Sequence, residues 1–529
     1  MHSLDWSFPY EWPRKPVLAA NVVATTQPLA AQAGLRMLLL GGNAVDAIVA
    51  TAITLTMVEP VSNGIGSDLF AVVWDGLRLH GLNASGHSPA RWSPAYFSGC
   101  DSMPERGWDS VTVPGCVSGW RLLSEKFGAL RFEKLFEPAL EYGRNGFLVS
   151  PTVARQWARQ VPVLKAQPGF ARAFMPEGEA PAAGSMFRMP EHAATLELIA
   201  STKGEAFYRG SLAEKIAMHS AAHKGVMTVS DLASYQPEWA IPLSIDYRGF
   251  TLHELPPNGQ GLVALIALGI LENFDIASYP ADSGDCLHLQ IEAVKLALAD
   301  ANRYVADPRY MEIEAKTFLA KDYLRERAQL IDPTRAQNFS HGNPSTGGTV
   351  YLTAADASGM MVSLIQSNYM GFGSGVVVDG TGISLQNRGA CFGLDPGHPN
   401  IVGPHKRPFT TIIPGFVTKD QRPVMSFGVM GGTMQAQGHV QVMVRIADHR
   451  QNPQAAVDAP RFRLYSGLEV NLEGQFGAAT IADLSKRGHQ VTALNDAYLD
   501  FGCAQLIWKL DNGYLAASDS RRDGQAVGY

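Results

Sequence analysis

Residues 347–349 read Gly-Gly-Thr and open an apolar, β-prone run. A threonine hydroxyl is a weak nucleophile and needs a neighbouring base, a role that a free α-amine on the same residue can fill. An internal threonine has no such amine. Cutting the Gly348–Thr349 bond would create nucleophile and base in one event, and two glycines give the chain freedom to bend that bond for attack. Taken alone, Gly-Gly-Thr before a strand is more often an ordinary turn. Other chemistries have less to stand on. The glycines of Gly371-Phe-Gly-Ser-Gly375 are followed by no helix pattern and no suitably placed acid, as a dinucleotide site would need. No Gly-x-Ser-x-Gly elbow occurs, and the 14 histidines include no His-Glu-x-x-His spacing. Neither a cofactor nor a metal is expected.

The elements that would position Thr349 follow from pattern. Residues 330–348 are polar and rich in proline and glycine, which predicts an exposed connector. Directly after it, residues 349–355 and 360–366 are apolar runs joined by Asp356-Ala-Ser-Gly359, a hairpin signature. Thr349 therefore opens a strand after a flexible loop. Helices are predicted over 28–40, stopped by Gly41-Gly42-Asn43, over 44–58, and over 285–305, where Leu287, Ile291, Val294 and Leu298 step by three or four. Further strands are predicted at 375–378, 409–417, 424–429 and 504–510, and helices near 435–447 and 479–487. Clustered hairpins between helices, without βαβ alternation, point to a layered α+β fold.

Composition bounds the partners. With 529 residues, 46% of them hydrophobic and 17% charged, the chain can bury a large core. A formal charge of -6 gives no reason to expect nucleic acid or an anionic membrane, so a small molecule is the expected partner. The five cysteines are widely spaced with no Cys-x-x-Cys pair, which favours reduced, buried thiols. Residues 1–14 lack the basic start and apolar run of a secretory signal, and cytoplasmic residence is expected. The apolar stretch 47–58 is too short to span a bilayer.

Several segments together resemble the γ-glutamyltransferase (glutathione hydrolase) family of N-terminal-nucleophile hydrolases. They include Gly41-Gly-Asn-Ala-Val-Asp-Ala47, Glu59-Pro60 with Gly64-Ile-Gly66, Val113-Pro-Gly115, Phe207-Tyr-Arg-Gly210 and Pro256-Pro-Asn-Gly-Gln-Gly261. Lys406-Arg-Pro408, Gly431-Gly432, Asp458-Ala-Pro-Arg-Phe462 and Ser518-Asp-Ser-Arg521 continue the likeness through the second half. The resemblance implies a four-layer αββα sandwich built from one self-cleaved precursor: residues 1–348 as large subunit and 349–529 as small subunit, remaining associated. A dimer of such heterodimers is compatible with it. Thr349 matches the family's nucleophile, Ser367 its second hydroxyl, and Gly431 and Gly432 the glycine pair whose N–H groups hold the oxyanion. Thr410 and Thr411 match a hydroxyl pair that touches the substrate carboxylate, and Asn368 and Tyr369 stand with them on the substrate side.

Departures from the family shape the expected substrate. Members acting on γ-glutamyl groups hold the α-carboxylate with an arginine and the α-amine with an aspartate. Here the Leu82–Pro89 segment carries a serine or its neighbours at the first place, and Cys391 stands at the second. A glutamyl ammonium would lose its partner, and an unpaired buried charge costs several kcal/mol. The stretch 392–406 also lacks the lid loop of those members, which favours water as acceptor. Arg388 could instead grip a carboxylate through its planar fork. Hydrolysis of a small anionic amide follows, with oxamate as the leading candidate, as in the family's oxamate amidohydrolases. Glutathione or other γ-glutamyl compounds, cephalosporin-like amides, and an unprocessed binding protein are the alternatives.

Overall fold

The computed structural model describes residues 14–339, 348–495 and 500–529. Residues 340–347 of the connector read at 330–348, and residues 1–13 of the N-terminal segment, lie outside those residues.

Two helices start the fold, each fixed by its caps. Gln27 accepts hydrogen bonds from the Leu29 and Ala30 N–H groups at the head of helix Pro28–Leu39. Asn43 and Asp46 form a reciprocal capping box on helix Ala44–Val58. All residues of that second helix are buried, which explains why it is apolar on every side.

Two seven-stranded sheets form the centre. The first runs, in spatial order, Gln525–Gly528, Val22–Thr25, Gly348–Ala355, Met361–Tyr369, Asp68–Trp74, Leu79–Ala84 and Glu238–Ala240. The second runs Val17–Ala19, Gly513–Ser518, Cys503–Leu510, Arg422–Met430, Gly415–Lys419, Phe250–Glu254 and Leu243–Tyr247. Strand alternation then sorts the side chains into three cores. Val23, Leu69, Ala71, Val350 and Leu352 face outward against the helices Pro28–Leu39 and Ala44–Val58. Phe70, Val72, Tyr351 and Ile365 face inward and meet Phe416, Met430 and Ile507 of the other sheet. Val417, Phe427, Val429 and Leu506 turn away from that gap onto helices Gly261–Leu271, Gly284–Tyr304 and Met434–Ala447. The result is the αββα sandwich.

The sequence expectations meet this frame closely at the hairpin, which pairs Tyr351 with Ile365 and Ala355 with Met361. The predicted strand 409–417 is realised only as Gly415–Lys419. Residues 409–414 instead run as irregular backbone from Pro408 to Pro414, joined to residues 258–260 by an isolated bridge between Thr410 and Gly259. Residues 375–378 shorten to Val377–Val378.

Before the chain leaves the described residues at 339, a buried polar group ties it down. His288 Nε2 lies 2.9 Å from Asp332 O, Lys295 Nζ donates to Gln337 O at 3.0 Å, and Glu292 accepts from the Gln337 N–H at 3.1 Å.

Candidate active site

Alternation places Thr349 on the same side of its strand as Tyr351, so its hydroxyl enters the gap between the sheets. The residue is fully buried. Gly348 pairs with Tyr369 but Val350 pairs with Gln366, so Thr349 faces an extra residue on the neighbouring strand, a β-bulge. At this irregularity Thr349 Oγ1 lies 3.0 Å from Ser367 Oγ. Ser367 Oγ also accepts the Tyr369 N–H at 2.8 Å, which fixes its position.

Gly431 and Gly432 lie where strand Arg422–Met430 ends and turns into helix Met434–Ala447. Both have positive φ, 125° and 63°, and a Cβ on Gly431 would meet Gly502 Cα at 3.0 Å. Glycine is therefore required here by conformation and by space. Among the described residues neither N–H of this pair has a hydrogen-bond partner. The turn is held from below and from the side. The Val429 N–H donates to His439 Nε2 at 3.2 Å, leaving Nδ1–H to donate to Glu254 Oε1 at 2.6 Å. Gln260 Nε2 donates to Gly432 O at 2.8 Å and to Thr411 O at 2.5 Å.

A cleft of about 240 Å³ opens beside this centre, lined by Tyr369, Cys391, Thr411, Thr433 and Gln260 on its polar side. Leu298, Val305, Phe392 and Phe409 form its apolar wall. Arg388 sits behind this lining, fully buried, with its guanidinium 4.9 Å from the Tyr369 ring centre. Its Nη1 donates to Thr411 Oγ1 at 2.9 Å, while among the described residues Nε and Nη2 have no hydrogen-bond partner. Thr410 Oγ1 is likewise buried without a partner. Unpaired buried donors are costly and mark places where a ligand completes the bonding.

Asp68 was missed by the sequence reading. It is the register partner of Ser367, is buried, and leaves Oδ2 without a hydrogen-bond partner among the described residues. Burial pushes its carboxyl up to about 7, against the opposing pull of Arg388 and of the Gly86 and Gly115 N–H groups. Burial also raises the Cys391 thiol, again opposed by Arg388, so this position supplies no anion of the kind an aspartate would. Gln435, equally unforeseen, places its Nε2 3.4 Å from Thr349 Oγ1. Asn368, expected on the substrate side, is committed elsewhere: its amide accepts from Ser67 Oγ at 2.8 Å and reaches Ser384 Oγ at 3.4 Å. It braces the wall of the site. Ser85, in the segment where an arginine was sought, bonds to Asn83 and Asn258.

Two groups of histidine and acid side chains, His219–His223–Asp379 and His288–Glu292–His489, share no residue with this site. Among the described residues no helix is long and apolar enough to cross a membrane.

Comparison with known proteins agrees over nearly the full length. The family model described as Gamma-glutamyltranspeptidase matches residues 30–529. A glutathione hydrolase-like YwrD proenzyme of Bacillus subtilis (strain 168) is 36% identical over 519 residues, covering 96% of this chain and 98% of its own. An oxamate amidohydrolase proenzyme of Klebsiella pneumoniae is 36% identical over 515 residues, covering 95% and 97%. The crystal structure of a cephalosporin acylase from Bacillus halodurans superimposes with a TM-score of 0.96 at 45% identity, covering 100% of this chain and 99% of that one.

Proposed function

Because this chain belongs to the gamma-glutamyltranspeptidase family, we propose that it is a proenzyme that severs its own Gly348–Thr349 bond and then hydrolyses a small carboxylate-bearing amide with Thr349. The observation that carries the reading is the buried Thr349 hydroxyl at a β-bulge, 3.0 Å from Ser367 Oγ. In self-cleavage Oγ1 attacks the Gly348 carbonyl carbon. The C–O bond forms, the C–N bond breaks, and the hydroxyl proton ends on the new Thr349 amine. Water then splits the ester, leaving a carboxylate on Gly348 and a free hydroxyl.

Turnover repeats this sequence on an external amide, with the freed α-amine taking the hydroxyl proton and passing it to the departing nitrogen. Backbone N–H groups of Gly431 and Gly432 suit the oxyanion because they are fixed in place before charge develops. The products are residues 1–348 and 349–529, which stay together in one sandwich, and cytoplasmic residence remains part of the proposal.

For the substrate, the unpartnered Nε and Nη2 of Arg388 support an anion beside Thr411. Oxamate, whose carboxylate adjoins its amide, is the leading candidate, and the relative of that name supports it. A second reading is favoured by the apolar wall of the cleft, which suits a bulkier acyl group, and by the cephalosporin acylase neighbour. Two fragments on a denaturing gel, the smaller beginning Thr-Val-Tyr-Leu, are expected for the purified protein. Thr349→Ala is expected to give one folded, inactive chain. Cleavage that persists in that variant would overturn the proposal, and parallel assays on oxamate, a γ-glutamyl anilide and a cephalosporin side-chain amide separate the substrates.

A further inference from the structure

Helix Met434–Ala447 carries three glutamines along its early turns, and their amides do different work. Gln437 and Gln441 each bind the backbone of strand Phe462–Ser466 at both ends of the amide. Gln437 donates to Leu464 O at 3.0 Å and accepts the Leu464 N–H at 2.8 Å. Gln441 donates to Phe462 O and accepts the Phe462 N–H, both at 3.0 Å. Those two are structural. Gln435, fully buried, is used otherwise. Its Oε1 accepts the Ile413 N–H at 3.1 Å, its backbone N–H donates to Gly432 O at 3.2 Å, and its Nε2 reaches Thr349 Oγ1 at 3.4 Å. One residue thus joins the nucleophile, the glycine turn and the 410–413 segment.

The Ile413 contact decides which end of the amide faces the nucleophile. A backbone N–H can only donate, so Oε1 must meet it, and the NH₂ group is left for Thr349. An N–H donor on Oγ1 has two consequences. It occupies one lone pair and turns the hydroxyl hydrogen towards Ser367 Oγ, 3.0 Å away. It also stabilises the negative charge that this oxygen gathers as its proton departs, between two fully buried side chains.

We propose that Gln435 is a catalytic residue acting on the nucleophilic oxygen itself, in self-cleavage and in turnover. The proposal rests on the assignment of Thr349 as nucleophile. Through each step Gln435 stays neutral and transfers no proton. The Oγ1–C bond forms, the carbonyl electron pair moves onto oxygen towards Gly431 and Gly432, and the hydroxyl proton ends on the departing nitrogen. The Nε2–H···Oγ1 contact is tightest when Oγ1 carries most charge.

Self-cleavage supplies an assay that needs no external substrate. Freshly made precursor is followed on a denaturing gel for the full-length chain, Gln435→Met, Gln435→Glu and Thr349→Ala. Gln435→Met keeps the volume without a donor and is expected to slow cleavage about 10- to 100-fold, less than the roughly 100- to 1000-fold typical of an oxyanion-hole donor, because the 3.4 Å contact is long. Gln435→Glu presents a carboxylate, which can donate to Oγ1 only when protonated. Its rate relative to the unaltered protein is expected to rise as pH falls, a recovery that a purely structural role would not produce. A Gln435→Met rate within twofold of the unaltered protein, or a pH-independent ratio for Gln435→Glu with its melting temperature unchanged, would overturn the proposal. Cleavage surviving in Thr349→Ala would instead remove the nucleophile assignment beneath it.

Discussion

Charge at the pocket floor is set by two side chains that no cleft-lining residue reveals. Under the proposed function Arg388 meets the substrate carboxylate, and Asp68, raised to about 7 by burial, competes for it. Below that pH Asp68 is neutral and Arg388 is free to act on the ligand. Above it the Asp68 carboxylate partly satisfies Arg388. KM for an anionic amide is therefore expected to rise as pH passes through about 7 and to lose that rise in Asp68→Asn. Arg388→Ala is expected to raise KM roughly 10- to 100-fold, the worth of one or two charge-assisted hydrogen bonds, while self-cleavage continues. Stability carries the same signature. A carboxyl raised from 3.8 contributes stability fully below that value and loses it as pH climbs to about 7. Melting temperatures of Asp68→Asn should accordingly fall less between pH 4 and 7 than those of the unaltered protein, and equal slopes would count against the assignment.

Among the elements, the strand that ends at the glycine turn has little room for change. Gly428 packs under the Tyr351 ring, where an added Cβ would lie 2.4 Å from ring atoms. Tyr351 is two residues beyond Thr349, so any separation of the strands at this point is transmitted to Thr349. Gly428→Ala is expected to cost about 1–3 kcal/mol, the usual range for overpacking, and to slow self-cleavage with it. A melting curve and a gel time course check both. Much at this scale was legible in the sequence. Helices Pro28–Leu39 and Ala44–Val58 followed from apolar spacing and the Gly41-Gly42-Asn43 stop, and the hairpin around Thr349 from two apolar runs and a turn. The 409–414 segment was misread because β-prone residues there are threaded between two prolines and bonded to the 258–260 backbone. Asp68 and Gln435 were beyond reach for a related reason. Each acquires its role from what faces it across the fold, and neither local spacing nor propensity reports that. Asn368, expected on the substrate side, instead has its amide bonded to Ser67 and Ser384, partners far from it in sequence or beyond the next turn.

For the molecule as a whole, the proposed cut falls inside a shared structure. The first sheet takes residues 349–355, Met361–Tyr369 and Gln525–Gly528 from the small fragment and interleaves them with strands of the large one. The second brackets four strands of the small fragment between Val17–Ala19 and Phe250–Glu254. The end of the large fragment is further tied through Asp332 and Gln337 to the buried His288, Glu292 and Lys295 group. Processed protein is expected to elute as one particle under native conditions and to separate only in denaturant. Free small fragment in native buffer would contradict this.

Interleaved sheets also give the molecule a history that its parts do not retain. A continuous chain can reach this fold by itself, with every partner strand held at high local concentration. After scission, neither piece owns a complete sheet, and reassembly becomes a meeting of two aggregation-prone halves, slower as the solution is diluted. Persistence of the mature form is then governed by how slowly it comes apart, a kinetic property, because the path that built it closes when the bond is cut.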